Sequence, residues 1–325
     1  MRTLTALFLL AALAIATDAR AITMSWSLVG NPGNAGDTAV EYDGSTGHGA
    51  VDYAFNIGTY DVTVSQYVSF LNSNDPYGHN TLGLYNSDMS SGSPGGYVTF
   101  NPAGLQGEMY RVVTGDGKLP INYVDYYDTL RFANWLNNGQ TPGSTETGAY
   151  TLLGGTPTPS NADSIVRNSD ATVFIPTEDE WYKAAYYNPA TSSYYLYPTA
   201  SNTAPSGTAP TGSPNSANLD NAVANLTAVG VYTGTTSPYG VYDTAGDVYN
   251  WTETVYDSYW QVTRGTSYDE GGSDARSVVL YTEYPTTLVP EMGFRVASVL
   301  APEPGSGVLA VIGLVTLLCW RKRLK

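Results

Sequence analysis

Apolar residues recur at helical spacing in three parts of this chain. Val64, Tyr67, Val68 and Leu71 fall at i, i+3, i+4 and i+7, which predicts an amphipathic helix capped by Thr63. Between Asp125 and Asn137, Tyr127, Leu130, Ala133, Asn134 and Leu136 lie along one side, with Asp125 as N-cap and Gly139 closing the run. Thr177 and Glu180 have capping-box spacing and predict a third helix starting there. Apolar runs at Met24–Val29, Ala54–Tyr60 and Ala171–Ile175 predict short strands. Asn72 to Gly96, Gln140 to Asp170 and residues 188–217 read as polar loops. Beyond them the pattern fades into short segments punctuated by Gly240, Gly246, Gly265 and Gly293. No internal repeat is present. The expected fold class is α+β, one domain with few short strands and much irregular chain.

The two ends differ from this middle. Arg2, the apolar stretch Leu4 to Ala16, and Ala19-Arg20-Ala21 have the layout of a secretory signal peptide, residues 1–21. At the other end Pro302-Glu303-Pro304 precedes the apolar run Gly305 to Trp320 and then Arg321, Lys322, Arg323 and Lys325. That run approaches membrane-spanning length, and the basic cluster places it cytoplasmic end last. The three-part tail, residues 301–325, resembles a PEP-CTERM sorting signal of Gram-negative bacteria. The resemblance implies a transmembrane sorting helix that passes the inner membrane transiently. It also implies processing by an exosortase and delivery to the cell surface or extracellular matrix. Residues 22–300 remain as the exported domain.

Charge and cysteine usage narrow the partners. The chain carries 29 Asp and Glu against 14 Lys and Arg, a formal net charge of −15. Six of the basic residues sit in the two end segments, so the middle is more acidic still. Such a surface repels nucleic acid, so no nucleic-acid partner is expected. It suits solubility outside the cell or divalent-cation binding. The single cysteine, Cys319, lies in the tail, so no disulfide staples the domain. The 27 tyrosines suit packing foremost, and also surfaces that face carbohydrate.

Four segments, in order, carry a family resemblance. They are Pro120-Ile121-Asn122-Tyr123-Val124 with Arg131 to Leu136; Ile175 to Trp181; Tyr239 to Trp251; and Arg264-Gly265-Thr266-Ser267-Tyr268 followed by Gly293-Phe294-Arg295-Val296-Ala297. Together they resemble the formylglycine-generating enzyme, or sulfatase-modifying factor, family over about Tyr53 to Ala297. The resemblance implies an elaborated C-type-lectin-like fold. It also implies copper-dependent oxidation through a cysteine pair between the last two motifs, and there this chain departs. Asp269 to Met292 has no cysteine, and Met292 is its only sulfur. One thioether does not replace two thiolates for monovalent copper. The iron-binding sulfoxide synthases of the superfamily use three histidines, and this chain has only His48 and His79, both expected in solvated loops. Neither copper nor iron is therefore expected. No catalytic residue is assigned.

The resemblance implies structural calcium. Carried over by position, one ion would be held by the Asp243 carboxylate, the Gly246 and Val248 carbonyls and the Asn250 amide oxygen; a second would begin at Asn218-Leu219. Asp243 and Asp247 have the alternative of closing turns by local Asx hydrogen bonds. Arg264 and Arg295 are expected to satisfy buried carbonyls and carboxylates. The leading functional expectation is an exported, non-catalytic binding or structural protein, with exopolysaccharide or surface proteins as partners. The alternatives are a cysteine-independent enzyme of the same superfamily and a scaffold that only carries the sorting tail.

Overall fold

The computed structural model describes residues 21–300. The signal-peptide and sorting-tail readings fall on residues outside that range. No helix among the described residues is long and apolar enough to cross a membrane.

The first half contains β1 (Trp26–Val29), β2 (Phe55–Gly58), α1 (Val64–Asn74), the single turn α2 (Asp88–Ser91) and a ribbon of β3 (Val98–Phe100) with β4 (Tyr110–Val112). Then come α3 (Tyr126–Asn137), β5 (Val173–Phe174) and α4 (Glu178–Tyr186). Two minimal ribbons follow, β6 (Tyr187–Asn188) with β7 (Ser193–Tyr194) and β8 (Ser206–Gly207) with β9 (Ser216–Ala217). The chain finishes with β10 (Tyr249–Asp257), β11 (Trp260–Arg264), β12 (Tyr281–Glu283), β13 (Met292–Gly293) and β14 (Ala297–Val299). One sheet has the order β1-β2-β14-β5, all neighbours antiparallel. The other has the order β12-β11-β10-β13, in which only β13 runs parallel to its neighbour.

All three predicted helices form, each opened by a reciprocal capping box: Thr63 with Gln66, Asp125 with Asp128, and Thr177 with Glu180. In each, the cap side chain accepts the N3 amide and the N3 side chain accepts the cap amide, so two orphan donors are satisfied locally. Gly139 ends α3 with φ +71, a backbone state that glycine adopts without strain. α3 is buried on nearly every face, against α1 on one side and β5 on the other. Between α1 and α3 lies an aromatic knot: Phe132 meets Phe70 edge-on at 5.4 Å and Phe294 edge-on at 5.2 Å, with Tyr67 and Trp135 alongside. Burying a ring of this kind contributes about 2–3 kcal/mol.

Two expectations need correction. The loop Asn72 to Gly96 contains the end of α1 and the α2 turn. More important, the turn-rich reading beyond residue 217 misses β10 and β11, the longest strand pair. Tyr249 to Thr252 are all buried, and Asn250 and Thr252 among them are polar, so this strand shows no apolar/polar alternation. The tyrosines mostly pack, as their number suggested. Tyr67 donates to the Leu84 carbonyl, Tyr150 to Glu253 and Tyr182 to Asp37, so each buried hydroxyl finds an acceptor.

Candidate functional site

The four sequence motifs converge on Asn250, at the start of β10. Its Oδ1 accepts from Trp181 Nε1 of α4 at 2.9 Å and from Arg295 Nε at 2.5 Å. Its Nδ2 donates to Asp61 Oδ1 at 2.9 Å. Next along the strand, Trp251 Nε1 donates to the Val124 carbonyl at 3.0 Å, which ties the Pro120–Val124 segment to the same strand. Arg295 and Asp61 have no exposed side-chain surface and pair at 2.7 Å. The guanidinium also donates to the carbonyls of Gly58, Tyr242 and Asp243. Arg264 likewise donates to the Ser277 and Val279 carbonyls and pairs with Glu41 and Glu178. Both arginines thus do what a buried guanidinium does best, binding several oxygens through one planar fork.

The calcium assignment meets this arrangement unevenly. Asn250, the only side chain at its end of the proposed set, turns its oxygen onto two N–H donors, one of them a cation. A calcium ion on that oxygen would stand against the Arg295 guanidinium, so the set Asp243, Gly246, Val248 and Asn250 does not fit one ion. Asp243 instead accepts the Gly230 amide and lines a small pocket with Thr199, Thr235 and Thr244. Burial, then the nearby Asp247 and Asp61 carboxylates, push Asp243 well above the usual carboxylate range. Asp247 accepts from Asn218 Nδ2, the Thr227 amide and the Thr227 hydroxyl, and burial raises it to about 7. Neither acid closes a local Asx turn in these bonds; each pins the 227–230 loop from a distance.

Asn218 and Gly246 form a parallel bridge, so the two calcium assignments occupy one neighbourhood. Leu219 is fully buried beside them. Asn218 Oδ1 is a buried oxygen without a hydrogen-bond partner. Gly246 lies at φ +84, and a Cβ there would come within 2.2 Å of the Asn218 carbonyl oxygen. Val248 is buried, and its side chain packs under Gly293.

The stretch that follows Arg264 to Tyr268 is where the resemblance implies thiolates. Here Glu270 accepts from the Tyr249 hydroxyl, and Tyr281 meets Tyr249 edge-on at 4.8 Å. Burial raises Glu270, opposed by that hydrogen bond. A phenol-carboxylate pair is a hard oxygen environment, unsuited to a soft metal.

The histidines part company. His79 is exposed beside Tyr77, as expected. His48 sits in an exposed loop but turns its ring inward: its Nδ1 lies 3.2 Å from Glu178 Oε1 and its Nε2 lies 3.7 Å from Glu41 Oε2. The hydrogen bond to Glu178 raises the imidazole above its ordinary value, against the effect of burial. This cluster joins residues from the 31–51 loop, the first residue of α4 and the last of β11. Sequence reasoning missed it because its members are scattered along the chain. The one available signal was a histidine seven residues after a glutamate in a glycine-rich stretch, which is unspecific.

Among solved structures, CarF is similar to this chain, with a TM-score of 0.57, 18% identity, and coverage of 86% of this chain and 99% of CarF. Treponema denticola variable protein 1 is similar with a TM-score of 0.53 and 18% identity, over 86% of this chain and 96% of that one. At this identity the likeness establishes the fold. A comparison with curated proteins returns no match. The model of the sulfatase-modifying factor enzyme 1-like domain matches residues 28–300, which takes in both sheets except the start of β1, all four helices and every motif described above. The chain belongs to the sulfatase-modifying factor, or formylglycine-generating enzyme, domain family.

Proposed function

We propose that this protein is an exported surface or matrix component whose domain binds or builds and does not oxidise thiols. The observation that carries the reading is the replacement at the motif-flanked stretch: it holds no cysteine, and a Tyr249–Glu270 pair occupies its start. A three-histidine iron site is out of reach as well, because the chain has two histidines and they sit in separate loops.

The residue pattern of 301–325 supports sorting by an exosortase and brief residence in the inner membrane, with final delivery to the surface or matrix. An exposed aromatic ridge supports a binding role. Trp260 stacks on Tyr284 at 4.0 Å at the end of the second sheet, and Tyr256 and Tyr259 stand exposed near it. Asp257 and Glu283 adjoin the rings along their strands. Such a surface offers ring faces to sugar C–H groups and carboxylates to sugar hydroxyls, so exopolysaccharide is the favoured partner. The C-type-lectin-like topology implied by the resemblance agrees with this reading.

Two assays test it together. Purified protein loaded with copper is given a cysteine-containing peptide, and the expected result is no aldehyde. The same protein is passed over immobilised exopolysaccharide from a producing cell, and the expected result is retention. Aldehyde formation would replace this reading with the cysteine-independent enzyme. Absence of both activities would leave the scaffold.

A further inference from the structure

We infer that Glu41, His48 and Glu178 form a binding site for one divalent transition-metal ion of the zinc class, fastening the 31–51 loop to α4. One ligand atom from each residue lies within 4.8 Å of the others. One imidazole with two carboxylates is a borderline donor set. It is too rich in nitrogen for calcium and lacks the sulfur that monovalent copper prefers. The three ligands would leave a fourth position for water.

Two further observations point to a cation. Glu41 is 3% exposed, yet its Oε2 has no hydrogen-bond partner. An orphaned oxygen on a buried carboxylate is costly, and it faces the imidazole edge. The local charge also lacks balance. Arg264 takes the Oε1 atoms of both Glu41 and Glu178, while Lys183, which also packs between this loop and α4, donates to the Asn31 and Val51 carbonyls instead. Around Arg264 lie Asp179, which accepts the Gly49 amide, Asp37, which accepts from Tyr182, and Asp43, which accepts from Ser45. Arg264 therefore answers the inner oxygens and leaves Glu41 Oε2 unpartnered beside the imidazole, whose own contacts to Glu178 and Ser45 a metal would have to replace in part. Ser45 Oγ, 2.8 Å from His48 Nε2, holds the ring in place. The side chain of His48 is 16% exposed, so an ion enters past it.

The chain's two histidines make the test internal. The full-length protein is stripped with a chelator, then titrated with zinc chloride while both imidazoles are followed by 1H–15N correlation NMR. His48 is expected to shift and saturate at a single equivalent while His79 stays still. Calorimetry on His48→Gln and Glu41→Gln is expected to show affinity at least about tenfold weaker. Near-UV circular dichroism checks that both variants keep the wild-type fold. His48 unmoved by excess zinc, or both imidazoles drifting together without saturation, would overturn the inference. So would undiminished zinc binding by His48→Gln. If the variants do not fold, the wild-type titration alone decides.

Discussion

Replacing Arg295 with methionine should be among the most damaging single changes in the domain. The side chain is fully buried and pairs with Oδ1 of an equally buried Asp61, whose Oδ2 has no hydrogen-bond partner. Methionine fills a similar volume but leaves the carboxylate without a counter-charge. Breaking a buried pair from one side costs about 3–5 kcal/mol. A fifth or more of the total stability of about 5–15 kcal/mol would go. At about 2–4 °C per kcal/mol for a domain of this size class, the melting temperature should fall by about 6–20 °C. The pair can also be removed from both sides. Asp61→Asn with Arg295→Met carries no buried charge, and its loss should be smaller than the sum of the two single losses by about 1–3 kcal/mol. Urea denaturation followed by near-UV circular dichroism measures all four corners of the cycle. A loss below about 1 kcal/mol in Arg295→Met would refute the reasoning. A double variant whose loss equals the sum of the singles would refute it too.

Four other outcomes follow. Stability should depend on pH through the α3 cap. Burial raises Asp125 to about 7 and Asp128 well above the carboxylate range, so the native state holds protons that the unfolded chain has lost. This stabilisation is complete below about pH 4 and is lost as pH rises through 7, and Asp128→Asn should flatten the slope measured by urea titration at each pH. Gly246→Ala, which forces a Cβ onto the Asn218 carbonyl at positive φ, should cost about 3 kcal/mol or more, and a melting temperature within error of wild type would count against the bridge. Calcium added to metal-free protein should leave the melting temperature unchanged, because Arg295 already occupies the Asn250 oxygen; a rise of several degrees that Asn218→Ala abolishes would return calcium to this loop. Tyr284→Ala should weaken exopolysaccharide retention about fivefold for a ring contact of about 1 kcal/mol, with the fold intact, and unchanged retention would remove the aromatic ridge from the proposal.

What the sequence disclosed was local or motif-borne. Thr63, Asp125 and Thr177 announced their helices because an N-cap, the apolar spacing after it or, at Thr177, a capping box is written within a few residues. The convergence of the motifs was legible as a resemblance, and Trp181, Asn250 and Arg295 do meet. The β10–β11 hairpin stayed hidden because a strand buried on both faces with Asn250 and Thr252 inside it breaks the period-two signal. The Glu41–His48–Glu178 cluster stayed hidden for another reason. Arg264 and Glu41 are 223 positions apart, and no local pattern specifies such a meeting. Asn250 shows the limit of carrying a ligand over by position: the residue is where the motif places it, but its oxygen already serves an arginine.

The first sheet is completed only by β14, which lies between β2 and β5 and is the last element before residue 300. A chain made amino end first would therefore hold β2 and β5 with a gap between them until its final stretch arrived. Folding of this layer waits for the last residues of the domain. Trimming after residue 300 would leave the sheet whole, whereas a cut a few residues earlier would remove its inner strand and open the hydrophobic interior to water.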